Sequence, residues 1–225
     1  MSSITIVSDL RAKFGEARDQ GTRPTCLAFA TSDAHAFEMG LPWKPLSCEY
    51  LFFHAKKSDG TSPTRGTNLT AISAALKTEG QPHESEWPYL SKLPADLSTW
   101  LPPTTACILN RVDVTRIHKP SVDDIWGRLE SCEPVIIGMT LSDAFYAVDA
   151  EGIVDSDEPV HTARKHALVV VAVGRTKANR LYLVRNSWGE KWGLSGYAWL
   201  SERYLKPRLI VAARIIPARE KANYV

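Results

Sequence analysis

A run of apolar residues without alternation, ALVVVAV at 167–173, constrains the fold of this chain more than any other sequence feature. A strand with one face in water alternates apolar and polar residues, so an unbroken run predicts a strand that is buried on both faces. Other strand-like runs lie in the same half of the chain, at 135–141, 181–185, 196–200 and 209–216. The second half is therefore predicted to be rich in β-strand.

The first half of the chain has the residue spacing of helices instead. Apolar residues recur at helical intervals from Leu27 to Phe37, and Gly40 then ends the segment. Two further helices are predicted, 48–57 behind the N-cap residue Ser47 and 69–79 behind the N-cap residue Asn68.

Two segments join these halves. The proline-rich stretch 82–103 is predicted to be an extended linker that runs over the surface. Ser121 and Asp124 then form a start similar to a capping box, for a helix that runs to about Cys132.

Helices followed by strands indicate the α+β class within a single domain of 225 residues. The expected division is a helical part at about 10–105 and a β-rich part at 106–225, with terminal segments that can cross between the parts. Functional sites tend to form between such parts.

Composition excludes several classes of function. Lys and Arg number 27 and Asp and Glu 25, so the net charge of +2 provides no basic field for nucleic acid. No apolar run approaches the roughly 20 residues of a membrane-spanning helix. Nucleic acid and membrane are therefore not expected partners, and the oligomeric state is left open.

The cysteines and the N-terminus indicate a reducing compartment. Residues 1–9 have neither the basic region nor the apolar region of a signal peptide. The four cysteines, at 26, 48, 107 and 132, form no CxxC pair or Cys/His cluster, so neither a metal nor another cofactor is expected. Reduced thiols and a cytoplasmic location are predicted, with delivery outside the cell by a non-classical route left open.

Three residues are candidates for nucleophilic chemistry, although each has a structural interpretation when taken alone. Cys26 lies at the first turn of a predicted helix, where backbone N–H groups stabilise a thiolate, but cysteine is also a common buried residue. His166 begins the buried strand and could be a core histidine. Asn186 could be a turn residue ahead of Ser187.

Their joint arrangement favours catalysis over the structural interpretations. His166 and Asn186 follow Cys26 by 140 and 160 residues, and a cysteine followed by a histidine and an asparagine at about this distance is typical of papain and the cathepsins. Short motifs at 26–29 (CLAF), 87–89 (WPY) and 186–189 (NSWG) are similar to those of the same family. From about residue 9 to residue 214 the chain resembles the papain-like cysteine peptidases.

The chain also departs from the family pattern. Arg23 stands where the family has a disulfide-forming cysteine, and Leu27 replaces the tryptophan after the nucleophile. The sequence RGTNL at 65–69 stands in place of the Cys-Asn-Gly-Gly string and is closer to some bacterial relatives. Residues 9–11 correspond to the start of the mature enzyme. We therefore expect a bacterial-like variant without the family's disulfides or propeptide.

The resemblance implies a fold and a set of catalytic roles. It implies a papain-like fold with a helical part, an antiparallel and barrel-like β part, and an active site in the cleft between them. Cys26 would be the nucleophile, His166 its acid–base partner and Asn186 the residue that orients the imidazole. Gln20, six residues before Cys26, would form the oxyanion hole with the Cys26 backbone N–H, and Trp188 would cover the Asn–His bond.

The resemblance also implies where a substrate binds. Gly66 and Thr67 would offer backbone hydrogen bonds to an extended peptide. Asn68, Leu69 and Ala167 would line the pocket for the second side chain before the scissile bond. A peptide or protein is then the expected substrate, and control by a regulatory protein partner is a further hypothesis.

Three functions are compatible with these residues. The first is a cytoplasmic cysteine endopeptidase. The second is an amidase, deamidase or transglutaminase that uses the same thioester chemistry on protein side chains. The third is a binding module that kept the fold, although binding alone would not require Gln20, Cys26, His166 and Asn186 together.

Overall fold

The computed structural model describes residues 3–104, 109–148 and 150–216. These residues form two compact units. The described parts of Met1–Asp19 and Arg116–Arg214 form the sheet unit, and those of Gln20–Thr115 and Ile215–Val225 form the helical unit.

The structure confirms most of the elements that the sequence predicts. The helices are α1 (Cys26–Met39), α2 (Cys48–Asp59), α3 (Leu69–Thr78), α4 (Val122–Glu130), α5 (Asp143–Tyr146) and α6 (Glu202–Leu205). The strands are β1 (Thr5–Asp9), β2 (Asp113–Arg116), β3 (Val135–Thr140), β4 (Ile153–Val154), β5 (Lys165–Arg175), β6 (Arg180–Arg185), β7 (Tyr197–Ser201) and β8 (Leu209–Ile216). The short elements β2, β4, α5 and α6 were not predicted, because four residues or fewer carry no periodicity.

The helical unit is built on α1, α2 and α3. The side chains of Ser47 and Asn68 accept hydrogen bonds from backbone N–H groups three residues later, so both predicted N-caps are confirmed. Leu51 of α2 and Ile72 and Leu76 of α3 are fully buried. These apolar faces form the core of the unit.

The sequence predicts that the proline-rich stretch 82–103 runs over the surface, but part of this stretch is buried. Trp100 is buried within the helical unit, and the ring of Phe53 lies 4.9 Å from it. Trp87 is also in ring contact with Phe53. The prolines predict that this stretch forms no long helix or strand. The aromatic residues between the prolines determine which parts of the stretch are buried.

The sheet unit contains a mixed sheet in the order β8-β3-β5-β6-β7-β4, with β1 also paired to β5. The pair of β4 and β7 is parallel, whereas β5 is antiparallel to β1, β3 and β6. The nine residues of β5 between its two ends are all buried, which confirms the strand predicted from the apolar run. The α+β class is therefore confirmed.

The sheet is open, so the predicted barrel-like form is wrong. Its strand order does not return to its starting strand, and β4 at one end contributes only two residues. A barrel needs every strand paired on both sides. Among the described residues no helix is both long enough and apolar enough to cross a membrane.

Burial of β5 predicts where the sheet unit is sensitive to mutation. Leu168→Ala removes a side chain with 0% exposure, and we expect it to lower the free energy of unfolding by about 2–5 kcal/mol. Ile210→Ala is the control, because Ile210 of β8 is 46% exposed and its loss should cost less than about 1 kcal/mol. Urea unfolding measures both values, and equal losses would contradict the assigned burial.

Candidate active site

His166 and Asn186 form a buried hydrogen-bonded pair in the sheet unit. His166 is the second residue of β5, and Asn186 follows the last residue of the neighbouring antiparallel strand β6. The Nε2 atom of His166 lies 2.7 Å from Oδ1 of Asn186. The same oxygen accepts a second hydrogen bond, of 2.8 Å, from the backbone N–H of Ser187.

These contacts determine which ring nitrogen can exchange a proton. A carbonyl oxygen only accepts hydrogen bonds, so Nε2 of His166 must carry a proton and donate it to Asn186. The bond from Ser187 holds the carboxamide with its oxygen toward the ring. Nδ1 is therefore the ring nitrogen placed to take up or release a proton.

Aromatic rings cover this pair. The ring of Trp188 lies 4.8 Å from that of His166, and Phe145 contacts both Trp188 and Trp192. Tyr146 stacks on Trp188 with ring centroids 5.2 Å apart. Apolar rings around a hydrogen bond exclude water that would compete with it.

Phe145 and Tyr146 were not predicted from the sequence. Both belong to the four-residue helix α5, which the sequence shows only through the Ser142–Asp143 start that is typical of a helix N-terminus. Trp188 lies in ring contact with His166, and its role as a cover of the His–Asn bond stays a prediction.

Burial lowers the pKa of His166 to about 4, and the hydrogen bond to Asn186 raises it in part. Desolvation penalises the imidazolium form, so the ring is neutral at pH 7 unless a negative charge lies beside it. A neighbouring anion would raise the pKa of His166 again. Protonation of this histidine at neutral pH would therefore require a neighbouring negative charge.

Contacts within the sheet unit fix the position of Asn186. Its backbone N–H donates to the carbonyl of Gly196 over 2.9 Å, and Gly189 donates to the carbonyl of Arg18 over 3.1 Å. Gly196 has a φ of 86°, and a Cβ atom there would collide with the side chain of Ala17. Glycine is required at this position by both conformation and space.

Arg185 connects this region to the N-terminal segment of the same unit. Its buried guanidinium donates to the carbonyls of Gly15 and Glu16 over 2.7 and 2.5 Å and to the Tyr197 hydroxyl over 2.6 Å. Because Arg185 immediately precedes Asn186, these bonds also fix the end of β6 that positions the carboxamide.

Cys26 is the first residue of α1 in the helical unit, as predicted. The partial positive charge of a helix start lowers the pKa of a thiol placed there. Thr25 is the N-cap residue, but its side chain does not cap the helix. Its hydroxyl lies 2.8 Å from the Tyr89 hydroxyl instead.

Gln20 lies in the segment before α1 and is buried within the same unit. Its Nε2 donates to the backbone carbonyl of Arg23 over 2.8 Å. A carboxamide nitrogen carries two N–H groups, and this bond uses one of them.

The predicted substrate segment at residues 66–69 is held by two charged side chains of α2. The buried Lys56 ammonium donates to the carbonyl of Gly66 over 3.1 Å and contacts Asp59. The Thr67 hydroxyl donates to Asp59 over 2.8 Å. Desolvation alone would raise the pKa of Asp59, but hydrogen bonds from Thr61, Thr67 and Lys56 hold that pKa at about 2.

The ten predicted site residues fall into two groups. Gln20, Cys26, Gly66, Thr67, Asn68 and Leu69 belong to the helical unit, and His166, Ala167, Asn186 and Trp188 belong to the sheet unit. Asn68 caps α3 with its side chain, and Ala167 is a buried residue of β5. Their substrate contacts stay predictions.

Within residues 3–104, 109–148 and 150–216, no group of three or more His, Cys, Asp or Glu side chains is arranged to hold a metal ion. Cys107, which the sequence analysis left without a role, lies outside the described residues.

Comparison with known proteins connects this geometry to one family. A model of the papain family cysteine proteases matches residues 7–207. Cathepsin J of Rattus norvegicus is 28% identical over 80% of this chain and 54% of its own length. Cysteine proteinase 3 of Entamoeba histolytica is 26% identical over 86% of this chain and 61% of its own. The chain thus spans a little over half the length of these curated relatives.

Solved structures confirm the fold. Procathepsin L 3 from the larval midgut of Tenebrio molitor has a TM-score of 0.76 at 19% identity, with 92% of this chain and 68% of that chain covered. Xylellain, a cysteine protease from Xylella fastidiosa, has a TM-score of 0.73 at 22% identity, with 94% and 86% covered.

The depressed pKa of His166 predicts a titration. In Cys26→Ala protein, which lacks the thiol, His166 should titrate at about 4 in NMR spectra, against about 6.5 in the urea-unfolded protein. A folded pKa below the unfolded one contributes stability that is complete above pH 6.5 and lost as the pH falls toward 4. Asn186→Ala should lower the pKa further, since the hydrogen bond raises it. A folded value of 6.5 or above would contradict the assigned burial.

Proposed function

Since the chain belongs to the papain family of cysteine proteases, we propose that it is a cysteine endopeptidase acting on peptides or proteins. The observation that carries the proposal is the buried bond between His166 Nε2 and Asn186 Oδ1. This bond presents Nδ1 for proton transfer, which is what a thiol nucleophile requires of its base.

Acylation is the first half of the proposed reaction. The Cys26 thiolate attacks the carbonyl carbon of a peptide bond, a C–S bond forms, and the carbonyl electron pair moves to the oxygen. The oxyanion then re-forms the carbonyl and expels the amine, which takes a proton from Nδ1 of the His166 imidazolium. The product of this half is a thioester on Cys26.

Deacylation regenerates the enzyme. Neutral His166 removes a proton from water through Nδ1, and the resulting hydroxide equivalent attacks the thioester carbonyl. The C–S bond breaks, the carboxylic acid product leaves and the thiolate re-forms beside the imidazolium. In this cycle the protons pass among His166, water and the substrate, and Cys26 is either a thiolate or a thioester.

The low pKa of His166 makes its imidazolium form dependent on a neighbouring anion. A buried imidazole with a pKa of about 4 holds no proton at pH 7 by itself. In the proposal the thiolate of Cys26 supplies the negative charge that raises this pKa, and the imidazolium lowers the pKa of the thiol in return. The two apparent pKa values then describe the pair as a whole rather than either residue.

Gln20 is the proposed side-chain donor to the oxyanion, together with the Cys26 backbone N–H. One N–H of Gln20 is bound by the Arg23 carbonyl, which fixes the plane of the carboxamide and the direction of the other. A donor of this kind contributes about 2.7–4 kcal/mol to transition-state stabilisation.

Residues 66–69 are the proposed binding site for the extended substrate backbone. Asn68, Leu69 and Ala167 are proposed to line the pocket for the second substrate side chain before the scissile bond. Gly66 is exposed, and the Lys56 contact holds its carbonyl in place. Extended peptides bind such segments through backbone hydrogen bonds. The cytoplasmic location, the bacterial origin and a regulatory partner stay predictions from the sequence.

Removal of the nucleophile is the first test of the proposed function. We expect Cys26→Ala to lower peptide hydrolysis by at least about a thousandfold and to abolish labelling by a thiol-directed epoxide. Cys132→Ala is the matched control, because Cys132 is an exposed free cysteine in the sheet unit and its loss should change neither readout. Labelling that persists in Cys26→Ala protein would show that the nucleophile has been misassigned.

The kind of bond that is cleaved needs a separate measurement. Intact-mass analysis of proteins treated with wild-type and Cys26→Ala protein should show fragments only with wild type, because hydrolysis of a backbone bond divides the chain. A mass gain of about one dalton without fragments would indicate side-chain deamidation instead.

Asn186→Ala should give fragments more slowly than wild type, because the imidazole loses its orienting partner.

A further inference from the structure

An ion pair lies inside the helical unit, directly beside the segment that carries Gln20 and Cys26. The Arg23 guanidinium forms two bonds to the carboxylate of Glu49, with Nη1–Oε2 and Nη2–Oε1 distances of 2.6 and 2.9 Å. Arg23 is 6% exposed and Glu49, the second residue of α2, is 0% exposed. This is a bidentate pair removed from water.

The stretch 82–103 supplies further partners for both charges. Glu49 accepts hydrogen bonds from the backbone N–H of Leu90 over 3.0 Å and from the indole N–H of Trp100 over 2.7 Å. Arg23 donates to the Leu90 carbonyl over 2.6 Å. These bonds explain why a stretch predicted to cover the surface is drawn into the unit.

Stability alone is a poor explanation for this cluster. Desolvation of two charges costs several kcal/mol per ion, and well-packed apolar residues are often as stable as a buried pair. Arg23 Nε is also buried without a hydrogen-bond partner. A bidentate pair does, however, constrain the relative orientation of the two groups that form it.

This cluster holds both the side-chain carboxamide and the backbone carbonyl of Gln20. Its carboxamide donates to the Arg23 carbonyl, and its backbone carbonyl accepts from the Tyr89 hydroxyl over 2.9 Å. Since that hydroxyl has one proton, the Thr25 hydroxyl must donate to the Tyr89 oxygen. The Arg23 guanidinium lies 4.9 Å from the centroid of the Tyr89 ring, so Tyr89 belongs to the same cluster.

We propose that Arg23, Glu49 and Tyr89 are positioning residues for the oxyanion hole, and that they act by holding the Gln20 carboxamide in a single orientation. The inference rests on the proposed function. An oxyanion donor must lie within about 2.7–3.1 Å of the developing charge, and a misplacement of about 1 Å costs much of its effect. Release of Arg23 would let its carbonyl move, and the carboxamide would follow.

Tyr89→Phe is the main test variant, because it removes one hydroxyl and preserves the ring. Tyr182→Phe is its matched control, since Tyr182 is buried in the sheet unit and its hydroxyl also donates to a backbone carbonyl, that of Val122. Glu49→Gln is the second variant. It keeps the side-chain shape but turns one acceptor into a donor facing other donors.

The expected effects separate positioning from general loss of structure. Tyr89→Phe and Glu49→Gln should each lower kcat by about tenfold and leave KM within about twofold, because the oxyanion forms only in the transition state. Alkylation of Cys26 by iodoacetamide should stay within about twofold, because that reaction has no oxyanion. Tyr182→Phe should leave all three quantities unchanged.

A double-mutant cycle with Gln20→Ala tests whether Tyr89 acts on kcat through Gln20. In the Gln20→Ala background, Tyr89→Phe should lower kcat by less than about twofold, because the residue through which it acts is gone. The same tenfold loss in both backgrounds would overturn the inference. If Glu49→Gln protein fails to fold, Tyr89→Phe alone decides.

NMR of the Gln20 side chain keeps this inference distinct from the proposed function. If wild-type protein shows no Cys26-dependent turnover, the proposed function fails, but the Gln20 Nε2 protons can still be followed and assigned by their loss in Gln20→Ala. We expect their exchange with water to rise at least about tenfold in Tyr89→Phe and in Glu49→Gln protein. Unchanged exchange would overturn the positioning role.

Discussion

The proposed chemistry depends on one hydrogen bond in a dry environment, from His166 Nε2 to Asn186 Oδ1. It sets the tautomer of the imidazole, and the rings of Trp188 and Phe145 keep competing water away. The same burial that protects the bond lowers the pKa of the ring to about 4. The histidine can therefore be charged at neutral pH only beside an anion, and the proposal assigns that anion to Cys26.

In the helical unit, an ion pair of buried side chains fixes the position of Gln20. The Gln20 carboxamide is held by the carbonyl of Arg23, and Arg23 is held by Glu49. By its resemblance to the papain family, the chain has Arg23 at the position of a disulfide-forming cysteine. An ion pair with several hydrogen bonds constrains the segment before α1 without a covalent bond, although each partner depends on the other being present.

The sequence predicts the residues whose signals are local. The helix start at Leu69 follows from the Asn68 cap, and the helix that begins at Cys26 follows from the spacing of its apolar residues. The strand that carries His166 follows from an apolar run. Two features are not predictable in this way. The helix α5 is too short to show periodicity, and the partner of Arg23 lies 26 positions away in a helix whose pattern gives no sign of a buried carboxylate.

In the proposed mechanism the Cys26 sulfur and the His166 imidazole titrate as one ion pair. The most direct measurement is the rate of Cys26 alkylation as a function of pH, in wild-type and His166→Gln protein. We expect an apparent thiol pKa well below 8.5 in wild-type protein and a value closer to 8.5 in His166→Gln protein, which lacks the imidazole. Identical profiles for the two proteins would show that the imidazole does not act on the sulfur, and the proposed mechanism would be wrong.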